Sequence, residues 1–297
     1  MLLYAGKYPE AEEILKSLRE DELVTVASEP RLHAVVYRAQ AIWAFYRGNP
    51  EARQWLETAL AGFDTAGDLR NASITRADLG FIFLEFGAYA QAEKLFRQSL
   101  LEAERMGLLT SIAQVKQNLG LALLGLGKLE EAASVEGEAA RALHLQGQRR
   151  VGGLAETYLA RILLRQGKRD EAEKAARHAL TLLDASPGSR AMALAVLAQA
   201  LLAQDKKAEG LEHAREGREL LRSLGALEEG EALVRLTFAE ALAAQGDPGA
   251  QDAIAEAKDA LLTRASNIHD AALRASFLEC VDENAATLAL AAKTTTN

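Results

Sequence analysis

The stretch Leu119-Gly120-Leu121-Ala122-Leu123-Leu124-Gly125-Leu126-Gly127-Lys128-Leu129-Glu130-Glu131-Ala132 decides the reading of the fold. It is the end of one helix, a tight turn at Gly127-Lys128, and the start of a second helix. Gly127 supplies the left-handed backbone that a helix C-terminus commonly adopts. Ala132, one turn into the second helix, is small enough to let two backbones approach. The same layout stands forty residues earlier as Leu79-Gly80, Gly87 and Ala92, and forty later as Leu159-Ala160, Gly167-Lys168 and Ala172.

Three ladders carry this layout along the chain. The turn position is Gly6, Gly48, Gly87, Gly127, Gly167, Asp205 and Gly246. Seven residues before each turn from the second onward lies a small residue: Ala41, Gly80, Gly120, Ala160, Ala198 and Ala239. A third set closes the second helices at Gly67, Gly107, Gly147, Pro187-Gly188 and Gly225. Self-similarity at a fixed period is the signature of a solenoid. Both segments of each unit show the 3.6-residue apolar period, as in Ile112, Val115, Leu119, Ala122 and Leu123. The period predicts first helices over 31–47, 69–86, 109–126, 149–166, 189–204 and 227–245. It predicts second helices over 9–20, 50–65, 88–106, 128–146, 168–184, 206–223 and 248–264. No run of β-branched residues and no Asn-Gly hairpin turn points to a strand. The fold class is all-α, an α–α superhelix of antiparallel helix pairs.

Bulk properties fit that architecture. The 297 residues suit a repeat array in which each unit contacts only its neighbours. Each of the five prolines, Pro9, Pro30, Pro50, Pro187 and Pro248, falls near a predicted helix start, where the missing N–H costs nothing. A net charge of −8 argues against a nucleic-acid partner. The single cysteine, Cys280, excludes an intrachain disulfide and fits a reducing, cytoplasmic compartment. No apolar run reaches a membrane span, and no signal peptide is visible, so a membrane partner is not expected.

The second unit reads Leu79-Gly80-x-x-Phe83, then Ala92-x-x-x-Phe96. This resembles the tetratricopeptide pattern Leu-Gly-x-x-Tyr, then Ala-x-x-x-Phe. The resemblance runs from Gly6 to about Arg264 and departs from the family in two ways. The period is near 40 residues rather than roughly 34, and the opening Trp is missing. The longer period looks like the arrays of large bacterial signalling proteins that carry ATPase or Ser/Thr kinase modules.

The expected organisation is a tetratricopeptide-like array over 1–264, capping helices over 265–292 and a disordered tail over 293–297. The segment Met1–Ala5 runs straight into the Gly6 turn, so the array is expected to begin mid-unit or to be a segment of a longer protein. Beyond Arg264 the repeat loses phase, and 270–278 and 282–290 predict a shorter helix pair that covers the apolar side of the last unit.

No catalytic constellation emerges, and no cofactor or metal is expected. His144, His178 and His213 recur in second helices, but a one-layer spacing is expected to keep them too far apart for a common ion. Gly120 to Lys128 fails the phosphate-loop pattern, with Ala122 and Leu129 at two of its required positions. Asn71-Ala72-Ser73 fits a glycosylation acceptor only incidentally. Cys280, beside Leu278 and Val281, reads as a small buried hydrophobe. The abundant Asp and Glu read as a solvated face.

What remains is a surface. The resemblance implies that first helices line a concave groove, with one groove position just after each small residue: Ile42, Phe81, Leu121, Arg161, Gln199 and Glu240. A second rung holds Arg38, Ala77, Gln117, Thr157, Ala195 and Leu236. The Lys/Asn/Arg clamp by which some family members hold a peptide C-terminus is absent. Arg149, Arg150, Arg161, Arg165, Lys168 and Arg169 form a basic cluster in an acidic chain. Arg161 and Arg165 share a helix face and suit an acidic or phosphorylated partner, unless Glu156, Asp170 and Glu171 pair with the cluster. The expected groove residues are Arg38, Ile42, Phe81, Gln117, Leu121, Arg161, Arg165 and Gln199. The expected function is non-enzymatic: docking of a protein or peptide, or of other domains of a parent chain. The alternative is a sensing domain for a small molecule or signalling peptide. A pocket closed around Phe81 and Arg161 would favour sensing; an open trough would favour docking.

Overall fold

The computed structural model describes residues 29–46, 51–227 and 229–294. The expected helix 9–20 and the positions Gly6, Pro9, Gly48 and Pro50 lie outside them. Among the described residues no strand occurs. The helices run α1 (Pro30–Tyr46), α2 (Ala52–Thr65), α3 (Leu69–Glu85), α4 (Tyr89–Arg105), α5 (Leu109–Gly125), α6 (Leu129–Leu145) and α7 (Arg149–Arg165). They continue as α8 (Arg169–Leu182), α9 (Pro187–Ala203), α10 (Lys207–Leu224), α11 (Glu231–Gln245), α12 (Ala250–Ser266), α13 (Ala271–Glu279) and α14 (Asp282–Thr294). Each odd helix from α1 to α11 pairs with the next even one, and successive pairs stack.

The ladders explain the stacking. The turn position takes left-handed backbone at Gly87, Gly127, Gly167 and Gly246, and Asp205 adopts it too, at φ 61°. Ala41, Ala160, Ala198 and Ala239 are fully buried, as are Ala92, Ala132 and Ala172. At Gly80 a side chain would meet the Phe96 ring at 2.8 Å, so the glycine is what lets α3 and α4 close. The third ladder needs one correction. Pro187-Gly188 opens α9 rather than closing α8, because α8 ends early at Leu182 and proline suits a first helical position.

Polar ties bind successive layers on the second-helix face. Glu93 accepts from Arg97 and Lys128, and Glu173 repeats this two units later with Arg177 and Lys206. Hydrogen bonds from Lys206, Arg177 and Gln204 outweigh burial and hold the Glu173 carboxyl down at about 2. Gln166 donates across to the Leu129 carbonyl at 3.2 Å, and Gln204 to that of Arg169 at 3.4 Å.

The superhelix curves far enough for its C-terminal pair to reach the α3–α4 turn. Phe277 of α13 packs edge-on against Phe86, with ring centroids 6.4 Å apart. A side chain at Gly87 would lie 2.9 Å from the Ser276 carbonyl and 3.1 Å from Val281. The C-terminal pair α13–α14 thus rests on the α11–α12 unit and also reaches the α3–α4 turn. Cys280, in this crossing, is exposed, contrary to the buried position expected of it.

Candidate functional site

The odd helices line the concave face, and three cavities lie along it. The largest, ≈ 280 Å³, is built by α1, α3, α5 and α7. Its apolar wall is Ile42, Phe45, Ile74, Phe81 and Leu154; its polar wall includes Gln114, Gln117, Asn118 and Arg150. Phe45 meets Phe81 edge-on at 5.8 Å. Asp78 also faces in; burial raises its pKa, and Arg38 opposes the rise through a 2.7 Å ion pair. Arg38 is therefore tied to Asp78.

Tyr158 and Glu229 stand between this cavity and the next. The Tyr158 hydroxyl is held well above its ordinary pKa, first by burial and then by the charge and hydrogen bond of Glu229. Gly230 fixes the loop that carries Glu229. It has φ 78°, and a Cβ there would fall 2.6 Å from the Met192 sulfur. Only glycine meets both conditions.

Beyond that partition lie Leu121, Arg161, Arg165 and Gln199, facing the C-terminal pair. A cavity of ≈ 80 Å³ is lined by Glu85, Tyr89, Leu121, Arg161, Phe277 and Glu283 among others. Another, of ≈ 180 Å³, is lined by Arg165, Gln199, Glu240 and Asp282 among others. Arg161 pairs with Glu283 at 3.0 Å, and Arg165 pairs with Asp282. Burial opposes the Arg161 charge, yet Glu283, Tyr158, Tyr89 and Asp282 hold its pKa above the usual guanidinium value. Across the closure, Arg264 pairs with Glu85 at 3.1 Å, and Arg53 with Asp270 at 3.5 Å. Burial raises the Glu85 pKa, with Arg264 opposing.

The expected groove residues divide between two parts of the concave face. Ile42, Phe81 and Gln117 share the large cavity, whereas Leu121, Arg161, Arg165 and Gln199 face α13–α14. The basic cluster finds its acids elsewhere than expected: Arg149 pairs with Asp184, and Glu156 faces His178. His144 and His178 lie in adjacent layers with ring centroids 6.3 Å apart, closer than the expected layer separation. Among the described residues no group of three His, Cys, Asp or Glu could hold a metal ion.

Sequence reading missed Phe45, Asn118 and Glu229. Phe45 follows Ile42 by one helical turn and Asn118 adjoins Gln117, so both were within reach of the ladder. Glu229 sits in a loop outside the repeat. Glu136 was missed as well. It is fully buried on α6, and among the described residues neither carboxylate oxygen has a hydrogen-bond partner. Burial, then the charge of Glu156, pushes its pKa well above the carboxylate range. The signal was present, because Ala132-x-x-x-Glu136 places a carboxyl where Ala92-x-x-x-Phe96 places a ring.

The family model of the tetratricopeptide repeat matches residues 157–183, spanning the end of α7 and α8. That stretch carries a tetratricopeptide-type repeat, and the rest of the array repeats the same paired-helix layout. The fold of the chain is similar to that of the Rap conjugation gene regulator of plasmid pLS20 in complex with the Phr* peptide. The TM-score is 0.66 at 12% identity, over 92% of this chain and 77% of that one. It is similar too to aspartyl phosphate phosphatase F from Bacillus subtilis, with TM-score 0.61 and 14% identity over 97% and 80% of the two chains. The Cut9–Hcn1 hetero-tetramer of APC/C gives TM-score 0.64 and 15% identity, over 95% of this array and 48% of that chain. At these identities the likeness shows the fold alone. No curated protein matches the sequence. No helix among the described residues of the array is long and apolar enough to cross a membrane.

Proposed function

We propose that this array is a non-enzymatic scaffold that holds a protein or peptide segment in the concave cavity around Phe81. The observation that carries the reading is the ≈ 280 Å³ cavity itself, with aromatic and aliphatic side chains facing Gln114, Gln117, Asn118 and Arg150. An apolar anchor laid against the Phe45–Phe81 pair would supply most of the affinity, since buried aromatic contacts dominate interfaces. The amides suit an extended backbone, whose N–H and C=O groups need partners once water is expelled. Arg150 suits a carboxylate on the same segment.

One observation favours the sensing alternative. Phe81 and Arg161 line different cavities, and Tyr158–Glu229 stands between them. A bounded cavity suits a short peptide better than a long docked chain. The Rap regulator of similar fold is in complex with a peptide, which fits this form of the reading.

The test is affinity capture on the intact protein, followed by titration of the recovered partner. Phe81→Ala should lose about 2 kcal/mol or more of binding, as truncated aromatic anchors do. Arg177→Glu, on the second-helix face, should bind normally. Normal binding by Phe81→Ala together with loss of binding by Arg177→Glu would move the functional surface to the outer face.

A further inference from the structure

The strongest unexplained feature is that the basic face of α7 is already occupied by this chain. Glu283 sits on Arg161 at 3.0 Å and Asp282 on Arg165, with more than a hundred residues between the partners. Both acids belong to the first turn of α14, where carboxylates are also favoured by the helix dipole. The rest of the closure is apolar: Phe277 is buried with Leu261, Ala265 and Ile268, and Phe86, Leu278, Val281 and Leu288 pack against them. Phe277 meets Phe86, and Val281 approaches Gly87. Ion pairs Arg264–Glu85 and Arg53–Asp270 supply the remaining ties. The other end of α14 is seated differently. Ala291 and Leu290 pack with Ile254 and Ala239 of the last unit, an apolar contact characteristic of a cap.

We infer that Asp282 and Glu283 are an exchangeable self-ligand: the first turn of α14 is an electrostatic latch across the groove, while α13 is anchored on α12 by Phe277. An incoming segment with two neighbouring carboxylates displaces that turn from Arg161 and Arg165. The apolar end of α14 stays seated on α11 and α12 while the acidic end lets go. Release joins the two cavities that Asp282 and Glu283 line into one trough, which Tyr158 and Glu229 still part from the large cavity. The occupant of the α7 face is thus an acidic segment, internal in the closed form and the partner's in the open form. This rests on the concave face being the binding face, as proposed above.

Hydrogen exchange on the full chain tests the latch without any partner. Arg165→Asp and Asp282→Arg should each speed exchange across the first turns of α14 by about fivefold, the upper range for an exposed pair. The double variant Arg165→Asp/Asp282→Arg should restore protection. High ionic strength should speed exchange more in the wild type than in the single variants, where the pair at position 165 has become a repulsion. Protection in α11 and α12 should not change. In a second arm, a short all-glutamate peptide should release the first turns of α14 in the wild type and have no effect in Arg161→Gln/Arg165→Gln.

Three results would overturn the inference. Single variants could exchange like the wild type, the double variant could fail to recover, or loosening could spread equally into α11 and α12, which would make the pair a permanent cap. The groove reading fails separately. A latch that opens as described, in a protein whose captured partner ignores Phe81, sinks the cavity reading and leaves the latch standing.

Discussion

Replacing Glu136 by leucine should stabilise the array. The side chain is fully buried with both oxygens unpartnered among the described residues, and it lies against Gly120, where an added Cβ would fall 2.3 Å from Oε2. One unit earlier Phe96 occupies the same site over Gly80, so the position accepts an apolar side chain. A buried polar group without a partner costs about 1–3 kcal/mol. Glu136→Leu should recover about that much or more at neutral pH, whereas Glu136→Gln should recover only the pH-dependent part, because its amide does not titrate but finds no partner either. The pH dependence has a definite sign. The folded-state pKa is raised by burial, so between the unfolded and folded values the native state binds the extra proton. Stability from this group is full below the unfolded carboxylate pKa and falls as pH rises, with a slope of at most about 1.4 kcal/mol per pH unit. Urea denaturation followed by circular dichroism, at pH values from mildly acidic to mildly alkaline, measures both effects. Glu136→Leu should raise the midpoint and flatten its fall with pH. A leucine variant less stable than wild type, or one with an unchanged pH slope, would show that the carboxyl is satisfied in solution.

Gly87→Ala and Gly127→Ala separate backbone strain from closure. Both glycines have φ 71°, but only Gly87 faces neighbours, and nothing lies within 4 Å of an added Cβ at Gly127. Gly127→Ala should cost about 1–2 kcal/mol for the left-handed backbone, and Gly87→Ala more, with faster exchange in α13; thermal melts and exchange check both. Ala132→Arg, at a fully buried contact, should cost about 1–3 kcal/mol or more by overpacking, while Glu131→Ala should stay within about 0.5 kcal/mol in chemical denaturation. Glu173→Gln should lose stability above the ordinary carboxylate pKa. Because the folded value is lowered to about 2, the deficit against wild type should shrink as acid titration approaches that pH. The deficit should be about 1 kcal/mol at most, since Arg177 and Lys206 are partly exposed.

Among the described residues the helices, their pairing and the turn glycines were legible in the chain, because each is set by residues within one or two turns of one another. Left-handed Gly127, small Ala132 and the apolar period of 109–125 act locally, and the ladders repeat that local chemistry. Glu136 was legible too, as a carboxyl at a position that its own repeat marks as a core site. The early end of α8 was not, because Pro187-Gly188 reads equally as a terminator and as a helix start. The site was half legible: Ile42, Phe81 and Gln117 share a cavity because neighbouring units put equivalent rungs side by side. Only the tertiary structure decided what faces Arg161 and Arg165, where Glu229 reaches and that Cys280 is exposed. Those depend on the total curvature of the superhelix, which sums a small rotation at every layer. Each rotation is set by how particular side chains pack, and their sum brings Phe277 to Phe86 and Glu283 to Arg161 across more than a hundred residues of chain.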